Sequence, residues 1–536
     1  MEGDAGMSAR AARLFWSLFG LCLLASLLPL AMTPYPPFTD LHGYTGLIGA
    51  LDRAGDPEAR IHDYWVFHRG AFPNVIYLAV GWLLSRFMPV TAASSVYVAL
   101  FCVAALPLAL LYALRSFGKS PWLVFFAFPA IYHRCLWFGF LGSVPAVPLM
   151  LVMLGLANQT FARPRAGWRD GALAAVLFVL ATAHAFLYLC AAGLLVAWAG
   201  LARGLPSPPW RRLVVLLPSL AYIAPWLGGA LVRPGGGGAA KQGMVQHLIS
   251  RRPPLRTYAA GLHDWFLNGY RGHVDDVVAA VFAVTLAAFL ALGARASSSL
   301  PKEAATPSLW RWRLPLSAVL CALGYLLLPM SIMKPFYWWA VNVRFLVPLI
   351  LTLVLLVPWR ASRRALPPWA IAPVIAAGIA YGGYLTYDFR TWWMGVELAG
   401  FSEAIRAIPA GRRVHALYPD LGSERHYSHF PMSDIVDYYV VERGGIATPV
   451  VDGHTNDIWV APRSQPPRPP WGVASAFRWA AHGPHWDYFL VKQPAPGNGA
   501  SIDPFRNAPP GAVSQVATRG LWSVWKRTAS EDARQR

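Results

Sequence analysis

Long apolar runs separated by short polar stretches dominate the chain up to residue 387. A helix needs about 20 largely apolar residues to cross the hydrocarbon core of a bilayer. Residues 171–203 form a run too long for one helix, which predicts two short helices that turn near His184. Counting these two, the pattern predicts a polytopic α-helical membrane protein of about 11 transmembrane helices. The other runs are 14–32, 72–88, 94–114, 138–158, 211–232, 273–294, 314–330, 344–358 and 367–387.

Clusters of Arg and Lys between the apolar runs indicate the orientation, because such clusters stay on the cytoplasmic side. Eleven crossings put the N-terminus and every cluster on that side, and leave residues 388–536 outside. The further apolar stretch 121–135 must then be re-entrant or interfacial, and Arg115 and Lys119 fit this topology poorly. The first run lacks a small-residue cleavage site, which indicates a retained helix. The clusters are Arg10 and Arg13; Arg163, Arg165 and Arg169; Arg203, Arg211 and Arg212; Arg295, Lys302, Arg311 and Arg313; and Arg360, Arg363 and Arg364.

The C-terminal part follows a different pattern. Helical spacing over 401–408 is followed by strand-like stretches, and Pro-rich linkers lie between them. Alternation of this kind predicts a small α/β domain. The expected organisation is a transmembrane domain, 1–387, with outer loops 33–71 and 233–272, and an extracytoplasmic α/β domain, 388–536. The strand-like stretches are 413–418, 438–441, 487–491 and 521–525, and the linkers are 461–470 and 494–510.

Composition supports the membrane assignment: 56% of residues are hydrophobic and only 13% are charged. The formal net charge of +20 could suggest nucleic acid. However, the excess lies in short clusters between apolar runs, which is typical of cytoplasmic anchors. The five cysteines lie in apolar runs and have no disulfide or metal-type spacing.

Asp40 is the leading candidate for chemistry, because carboxylates are costly in a membrane and usually mark function there. It follows the proline-rich stretch 33–39, which would hold it just above the bilayer. A carboxylate fixed in that position suits a general base acting on a sugar hydroxyl. The alternative is that Asp40 caps a helix that starts near His42. One residue can do both.

Other candidate residues would face the outer side of the membrane, as Asp40 does. His184, at the tip of the predicted hairpin, could contact a phosphate or sugar or cap the turn. Arg344 would lie at the outer end of a helix, where it suits a phosphate, with snorkelling to headgroups as the alternative. Arg271 belongs to the basic loop 233–272, which could meet an anionic lipid. That loop begins with four glycines, but no Gly-Lys-Ser/Thr follows, which excludes a nucleotide P-loop.

His42, two residues after Asp40, is a further candidate for substrate binding. Together with His62, Asp63 and His68 it could bind a metal ion, but no recognisable ligand spacing supports this. Anchoring at the membrane interface is the alternative for the aromatic stretch around His62 and His68.

In layout, the chain resembles the GT-C fold glycosyltransferases: a first helix, an outer loop with an early Asp, many further helices and an outer C-terminal domain. Short segments are similar to uncharacterised bacterial members of that superfamily. This chain carries Asp40-Leu-His42 where the mannosyltransferase branch has an Asp-Glu pair. It also lacks the Trp-Trp-Asp signature of oligosaccharyltransferases. The segments are Pro36-Pro-Phe-Thr-Asp-Leu-His42, Gly139-Phe-Leu-Gly142, Ala183-His-Ala185, Arg344-Phe-Leu-Val-Pro348 and Ile405-Arg-Ala-Ile-Pro-Ala-Gly-Arg412.

The resemblance implies a membrane glycosyltransferase in the bacterial inner membrane. The donor would be a polyprenyl-phosphate-linked sugar, the acceptor a glycan, lipid or protein, and Asp40 the base or acceptor-orienting residue. No cofactor is implied with certainty, and a divalent cation is possible. Two alternatives remain: a non-catalytic assembly factor for envelope glycan, and a transporter or flippase of a lipid-linked substrate. A transporter predicts internal repeats and charged residues near the midplane, and the sequence shows neither.

Overall fold

The computed structural model describes residues 8–68, 73–163, 165, 167–203, 205, 208–232, 255–298, 309–332, 338–359, 368–426, 430–448, 459–464, 466–469, 472–494 and 502–528. The α-helices are α1 (Ala9–Ala31), α2 (Thr39–Asp52), α3 (Ile61–Tyr64), α4 (Ile76–Ser85), α5 (Val90–Tyr97), α6 (Ala105–Ser116), α7 (Arg134–Trp137), α8 (Ser143–Phe161), α9 (Trp168–Ala183), α10 (Ala185–Leu201), α11 (Leu217–Val232), α12 (Leu255–Phe266), α13 (Val274–Ser298), α14 (Arg313–Leu327), α15 (Leu346–Leu356), α16 (Ala372–Asp388), α17 (Phe401–Arg406), α18 (Tyr438–Arg443) and α19 (Trp479–His482). The strands are β1 (Trp65–Phe67), β2 (Ser331–Ile332), β3 (Trp338–Trp339), β4 (Arg413–Leu417), β5 (Ile446–Thr448), β6 (Val460–Pro462), β7 (Tyr488–Lys492), β8 (Val513–Arg519) and β9 (Trp522–Arg527).

Several helices are long and apolar enough to cross a membrane, which confirms the prediction of a multi-pass helical membrane protein. A π-helical turn, Val98–Ala104, joins α5 to α6 and makes one of these long helices. The predicted pair of short helices is also present, since α9 ends at Ala183 and α10 begins at Ala185. The count of about 11 transmembrane helices stays a prediction. Within the described ranges, the long apolar helices are Ala9–Ala31, Val90–Ser116, Ser143–Phe161, Val274–Arg295 and Trp369–Glu397, and shorter ones are Ile76–Ser85, Ala185–Leu201 and Asn342–Leu356.

Residues 121–138 run beside α1 from Phe15 to Ser26. Trp122 packs edge-on against Phe15, near the start of α1, with ring centroids 5.4 Å apart. Further along, the Tyr132 hydroxyl donates to the carbonyl of Ser26 at 2.7 Å. The segment begins with a 3₁₀ helix, Pro121–Ala127, and its residues from Trp122 to Ile131 are buried.

The two ends of this segment lie at opposite ends of the helical bundle. The Ser120 amide donates to the Trp359 carbonyl, whereas the Phe138 carbonyl accepts from the Asp40 amide. Whether 121–135 is re-entrant or interfacial, as predicted, depends on where the bilayer lies, and this stays a prediction. Irregular backbone is tolerated at membrane depth where protein encloses it, and burial on all sides provides that enclosure here.

The apolar run 72–88 contains a short helix, Ile76–Ser85. Helix α4 has 10 residues, which at 1.5 Å per residue is about half the thickness of the hydrocarbon core. At its start the Val75 amide donates to Thr182 beside the α9–α10 turn. At its end Arg86 pairs with Asp52, the last residue of α2, at 3.2 Å. Helix α4 therefore lies along α2, and the crossing at 72–88 stays a prediction.

Basic residues collect at the end of the bundle away from Asp40. The Lys119 ammonium donates to the Val357 carbonyl at 2.9 Å. Arg313 donates to the side chain of Asn158 at 2.8 Å. Arg115 lies over the ring of Trp16, near the start of α1, at 5.8 Å. Arg115 and Lys119 therefore lie at the end of the bundle where α1 begins. The predicted basic residues Lys302, Arg360, Arg363 and Arg364 lie outside the described residues.

Residues beyond α16 contain a five-stranded sheet of order β5-β4-β7-β9-β8. β5, β4 and β7 pair in parallel, and β9 and β8 are antiparallel. The predicted strand at 438–441 is instead helix α18 (Tyr438–Arg443). Short apolar runs cannot be assigned from periodicity alone, and this one is a buried helix packed on α2. The boundary of a separate domain at residue 388 stays a prediction.

The first outer loop and the C-terminal residues pack against each other. β1 pairs antiparallel with β6. Helix α18 approaches α2 so closely that a Cβ at Gly49 would lie 2.7 Å from the Cα of Val441. The C-terminal residues therefore lie at the same end of the molecule as Asp40.

Candidate functional site

Asp40 lies in the first turn of α2, which starts at Thr39 with Phe38 at the N-cap and no side-chain capping bond. The prediction that Asp40 caps a helix starting near His42 is therefore wrong. The position still favours a carboxylate, because the unpaired amides of a helix N-terminus carry partial positive charge. Burial raises the pKa of Asp40 to about 7, and the positive charge of Arg344 opposes that rise.

Gly139 allows the chain after α7 to reach α2. Its φ is +70°, in the left-handed region. A Cβ there would lie 2.7 Å from the amide nitrogen of Leu41 and 2.8 Å from that of Asp40. Only glycine fits such a close backbone approach at that dihedral angle. The motif Gly139–Gly142 thus holds the first turn of α2 in place.

His184 caps α10 as the sequence suggested. Its Nδ1 accepts a hydrogen bond from the Leu187 amide at 3.2 Å, and the side chain is buried. A neutral imidazole has one acceptor and one donor nitrogen. Because Nδ1 is the acceptor, Nε2 carries the proton and is a donor.

Arg344 lies in a 3₁₀ turn, Asn342–Phe345, just before α15, and is held there by carbonyl groups and an aromatic ring. Its Nη2 and Nε donate to the carbonyls of Trp339 at 3.0 Å and Ala340 at 3.2 Å. The guanidinium lies over the ring of Phe140 at 4.6 Å. These contacts leave the Nη1 edge directed at Nε2 of His184.

Two donors therefore meet without an acceptor between them. Arginine cannot accept a hydrogen bond, and the Nε2 of His184 is also protonated. An anion with several acceptor oxygens satisfies such a pair, and a phosphate group fits the arginine fork. Asp40, His184 and Arg344 are thus brought together, with Asp40 close enough to Arg344 for electrostatic interaction. The arrangement can bind an anion beside a carboxylate of raised pKa.

Tyr44 belongs to this site but was not selected from the sequence. It lies one turn after Asp40 on the same face of α2, and interacts electrostatically with Asp40, Arg344 and Asp434. Burial raises its pKa, so the hydroxyl stays protonated and can donate. The i, i+4 spacing from Asp40 was the available signal.

The structure places His42 and Arg271 elsewhere. His42 is on the opposite face of α2 from Asp40, and its Nδ1 lies 3.4 Å from the Tyr438 hydroxyl. Burial lowers the pKa of His42 to about 3, which makes it neutral. Arg271 is exposed and donates to the Ser423 carbonyl at 3.0 Å, where the loop meets the C-terminal residues. Their predicted roles in substrate binding stay predictions.

The metal site considered for the first outer loop has no geometric support. Asp63 pairs with Arg60 at 2.7 Å, and His68 donates its backbone amide to Trp459. In the described ranges no three His, Cys, Asp or Glu side chains are grouped to hold a metal ion. The glycine-rich start of the basic loop and its residues up to 254 lie outside the described residues.

A cleft of about 630 Å³ lies between the first outer loop, α5 and the C-terminal residues. Tyr35, Asp52, Arg406 and Glu442 are among its lining residues. Asp40, His184 and Arg344 do not line it. The Asp40 site is therefore separate from this cleft.

Comparison with solved structures gives similarities over nearly the whole chain. One is ArnT from Cupriavidus metallidurans bound to undecaprenyl phosphate: identity is 13%, coverage is 97% of this chain and 99% of that chain, and the TM-score is 0.45. The apo state of ArnT matches at 12% identity over the same shares, with a TM-score of 0.46. The arabinofuranosyltransferase AftD from Mycobacteria matches at 16% identity over 98% of this chain, with a TM-score of 0.44.

This chain spans only 40% of the length of AftD. No family model matches the sequence, and no curated protein matches it. Identities of 12–16% with TM-scores below 0.5 leave the activity to be inferred from this chain's own residues.

Proposed function

We propose that this protein is a GT-C fold glycosyltransferase that moves a sugar from a polyprenyl-phosphate donor to an acceptor at the outer face of the bacterial inner membrane. The observation that carries the proposal is the placement of Asp40 beside two converging donors, Arg344 and His184. Asp40 can take a proton, and Arg344 and His184 together can hold a phosphate. Both requirements of glycosyl transfer from a phosphate-linked sugar are met in one place.

The chemistry follows from these roles. The oxygen of an acceptor hydroxyl forms a bond to the anomeric carbon of the sugar. At the same time Asp40 accepts the proton of that hydroxyl. The bond from that carbon to the phosphate oxygen breaks, and its electron pair leaves with the polyprenyl phosphate. Arg344 and His184 donate to the phosphate oxygens, where negative charge develops. The products are the glycosylated acceptor, polyprenyl phosphate and a protonated Asp40, which then loses its proton to solvent.

We also infer the membrane topology from the positions of the helix ends. The crossings are α1, α5 with α6, segment 121–138, α8, α9, α10, α11, α13, α14, α15 and α16, while α4 lies at the outer interface. The N-terminus is then cytoplasmic and the C-terminal residues form the extracytoplasmic α/β domain. Every basic cluster among the described residues then falls on the cytoplasmic side, as positive loops do.

Thiol labelling of intact cells tests this topology. Phe87→Cys, at an exposed position after α4, is expected to react with a membrane-impermeant maleimide added outside. Gly118→Cys, beside Lys119, is expected to react only after the cells are opened. Wild-type protein, whose cysteines are mostly buried, is the background control. The opposite labelling pattern would contradict the proposal that segment 121–138 crosses the membrane and α4 does not.

The rate of transfer should depend on the ionisation of Asp40. Its pKa is raised to about 7, and a base works only when deprotonated. We therefore expect kcat/KM to rise with pH, level off above about pH 7, and fall about tenfold per unit below it. Release of polyprenyl phosphate by protein in liposomes, followed across pH, measures this. A profile that is flat from about pH 5 to 9 would show that Asp40 is not the base.

A further inference from the structure

Asp388 is a buried carboxylate at the C-terminal end of α16. A π-helix, Phe389–Glu397, follows it directly. The side chain of Asp388 is fully buried, and burial of a carboxylate is costly unless hydrogen bonds and opposite charges compensate it. π-Helical turns are rare and occur frequently at functional sites. No step of the proposed transfer reaction uses this carboxylate.

Three donors from two other parts of the chain converge on Asp388. Its Oδ2 accepts from the Tyr270 hydroxyl at 3.1 Å and from Nε2 of His426 at 2.8 Å. Its Oδ1 accepts from Nη1 of Arg425 at 3.3 Å. The two partner segments also meet through their backbones, since the Arg271 amide donates to the Arg425 carbonyl at 2.8 Å. Asp388 therefore ties the segment before α13 and the C-terminal segment around His426 to the end of α16.

The His426 ring continues this network towards the Asp40 site. It lies against the ring of Trp137, with centroids 5.6 Å apart and an interplanar angle of 36°. Trp137 is fully buried and packs edge-on against Phe38 at 5.6 Å. Phe38 is the N-cap residue of α2, and the carbonyl of the residue after Trp137 accepts from the Asp40 amide at 3.1 Å. Trp137 thus lies between the Asp388 network and the backbone of Asp40.

We propose that Asp388 is a positioning residue for Asp40. Through His426 it fixes Trp137, and Trp137 fixes the first turn of α2. This inference rests on the proposed function. Helix α2 has no side-chain capping bond at its start, so the placement of that turn depends on packing from outside the helix. Because a misplacement of about 1 Å can lower the rate of an enzyme about 10²-fold, contacts that fix this turn affect the rate without touching substrate.

The substitution Asp388→Asn tests this role, because it keeps the shape of the side chain and removes the charge that holds the three donors. We expect kcat to fall about 10–10²-fold, with the KM for polyprenyl lipids extracted from the native membrane within about twofold of wild type. A loosened first turn also admits water to Asp40, so the midpoint of the pH profile should move to lower pH. Arg344 and Tyr44, the charged and titratable groups that interact with Asp40, are unchanged in this variant. Tyr270→Phe removes one donor and keeps the ring, so it should show both effects more weakly.

Lys492→Met is the matched control. Lys492 is buried and pairs with Glu397, at the other end of the same π-helix, at 2.6 Å. Loss of this buried ion pair should lower the melting temperature, whereas kcat per mole of folded protein and the pH midpoint should stay as in wild type. Hydrogen exchange in the peptide that contains the Asp40 amide reports the placement of the turn without any activity. Exchange should be faster in Asp388→Asn and unchanged in Lys492→Met.

A wild-type kcat and pH midpoint in Asp388→Asn would overturn the inference. So would equal changes in Asp388→Asn and Lys492→Met, which would indicate a loss of stability alone. Tyr270→Phe carries the test should Asp388→Asn fail to fold. If Asp40→Asn is inactive and Asp388→Asn is normal, only the positioning role fails. If Asp40→Asn is fully active, the proposed function fails and the positioning role fails with it.

Discussion

Replacing Asp40 with Asn is expected to lower glycosyl transfer by about 10²–10⁴-fold, the usual contribution of a general base. The side chains have nearly the same shape, but an amide cannot take the acceptor proton. The fold should persist, because the variant removes a buried charge and breaks no side-chain capping bond. The glycan produced by cells that carry only the variant, measured by mass spectrometry, reports the effect.

Asp63→Asn is the matched control for this experiment. Asp63 lies in the same outer loop, but it is half exposed and pairs with Arg60 at the surface. Surface pairs contribute about 0–1 kcal/mol, so this variant should support normal glycan. Membrane levels and melting temperatures of both variants should match wild type. Normal glycan in cells with Asp40→Asn would remove the basis for a catalytic Asp40.

The second large effect is expected at Arg344. Lysine keeps the positive charge but has no planar fork, so it cannot contact the carbonyls of Trp339 and Ala340 and still present a donor beside His184. We expect Arg344→Lys to reduce turnover by about 10²–10³-fold, comparable to the loss of an oxyanion donor. The measurement is polyprenyl phosphate release per mole of folded protein.

Arg406→Lys serves as its control. Arg406 is largely exposed and pairs with Glu442, away from the Asp40 site, so turnover should stay within about twofold of wild type. Near-normal turnover by Arg344→Lys would show that a guanidinium donor beside His184 is unnecessary. The anion-binding role assigned to the pair would then be wrong.

The sequence located Asp40, His184 and Arg344 separately, and the structure brings them together. Each was recognisable because a polar residue in or beside an apolar run is costly. Their convergence could not be recognised in the sequence, because it depends on packing between helices that are far apart in the chain. Four of the five short motifs that carry the family resemblance meet at this site. No single motif indicates which of the others it contacts.

The topology that we propose differs from the predicted one for a specific physical reason. Run length favoured 72–88 over 121–135 as a crossing, because an isolated helix must satisfy its own backbone in lipid. Residues 121–138 need no long helix, since neighbouring protein encloses them. The poor fit of Arg115 and Lys119 was the one signal of this in the sequence.

Donor turnover by the purified protein tests the central claim most directly. Wild-type protein and Asp40→Asn would be placed in liposomes with polyprenyl lipids and acceptors extracted from the native membrane, and free polyprenyl phosphate would be measured by mass spectrometry. The account predicts release by wild type and release reduced to background by Asp40→Asn. Equal release by both proteins, or none by wild type in the complete extract, would contradict it.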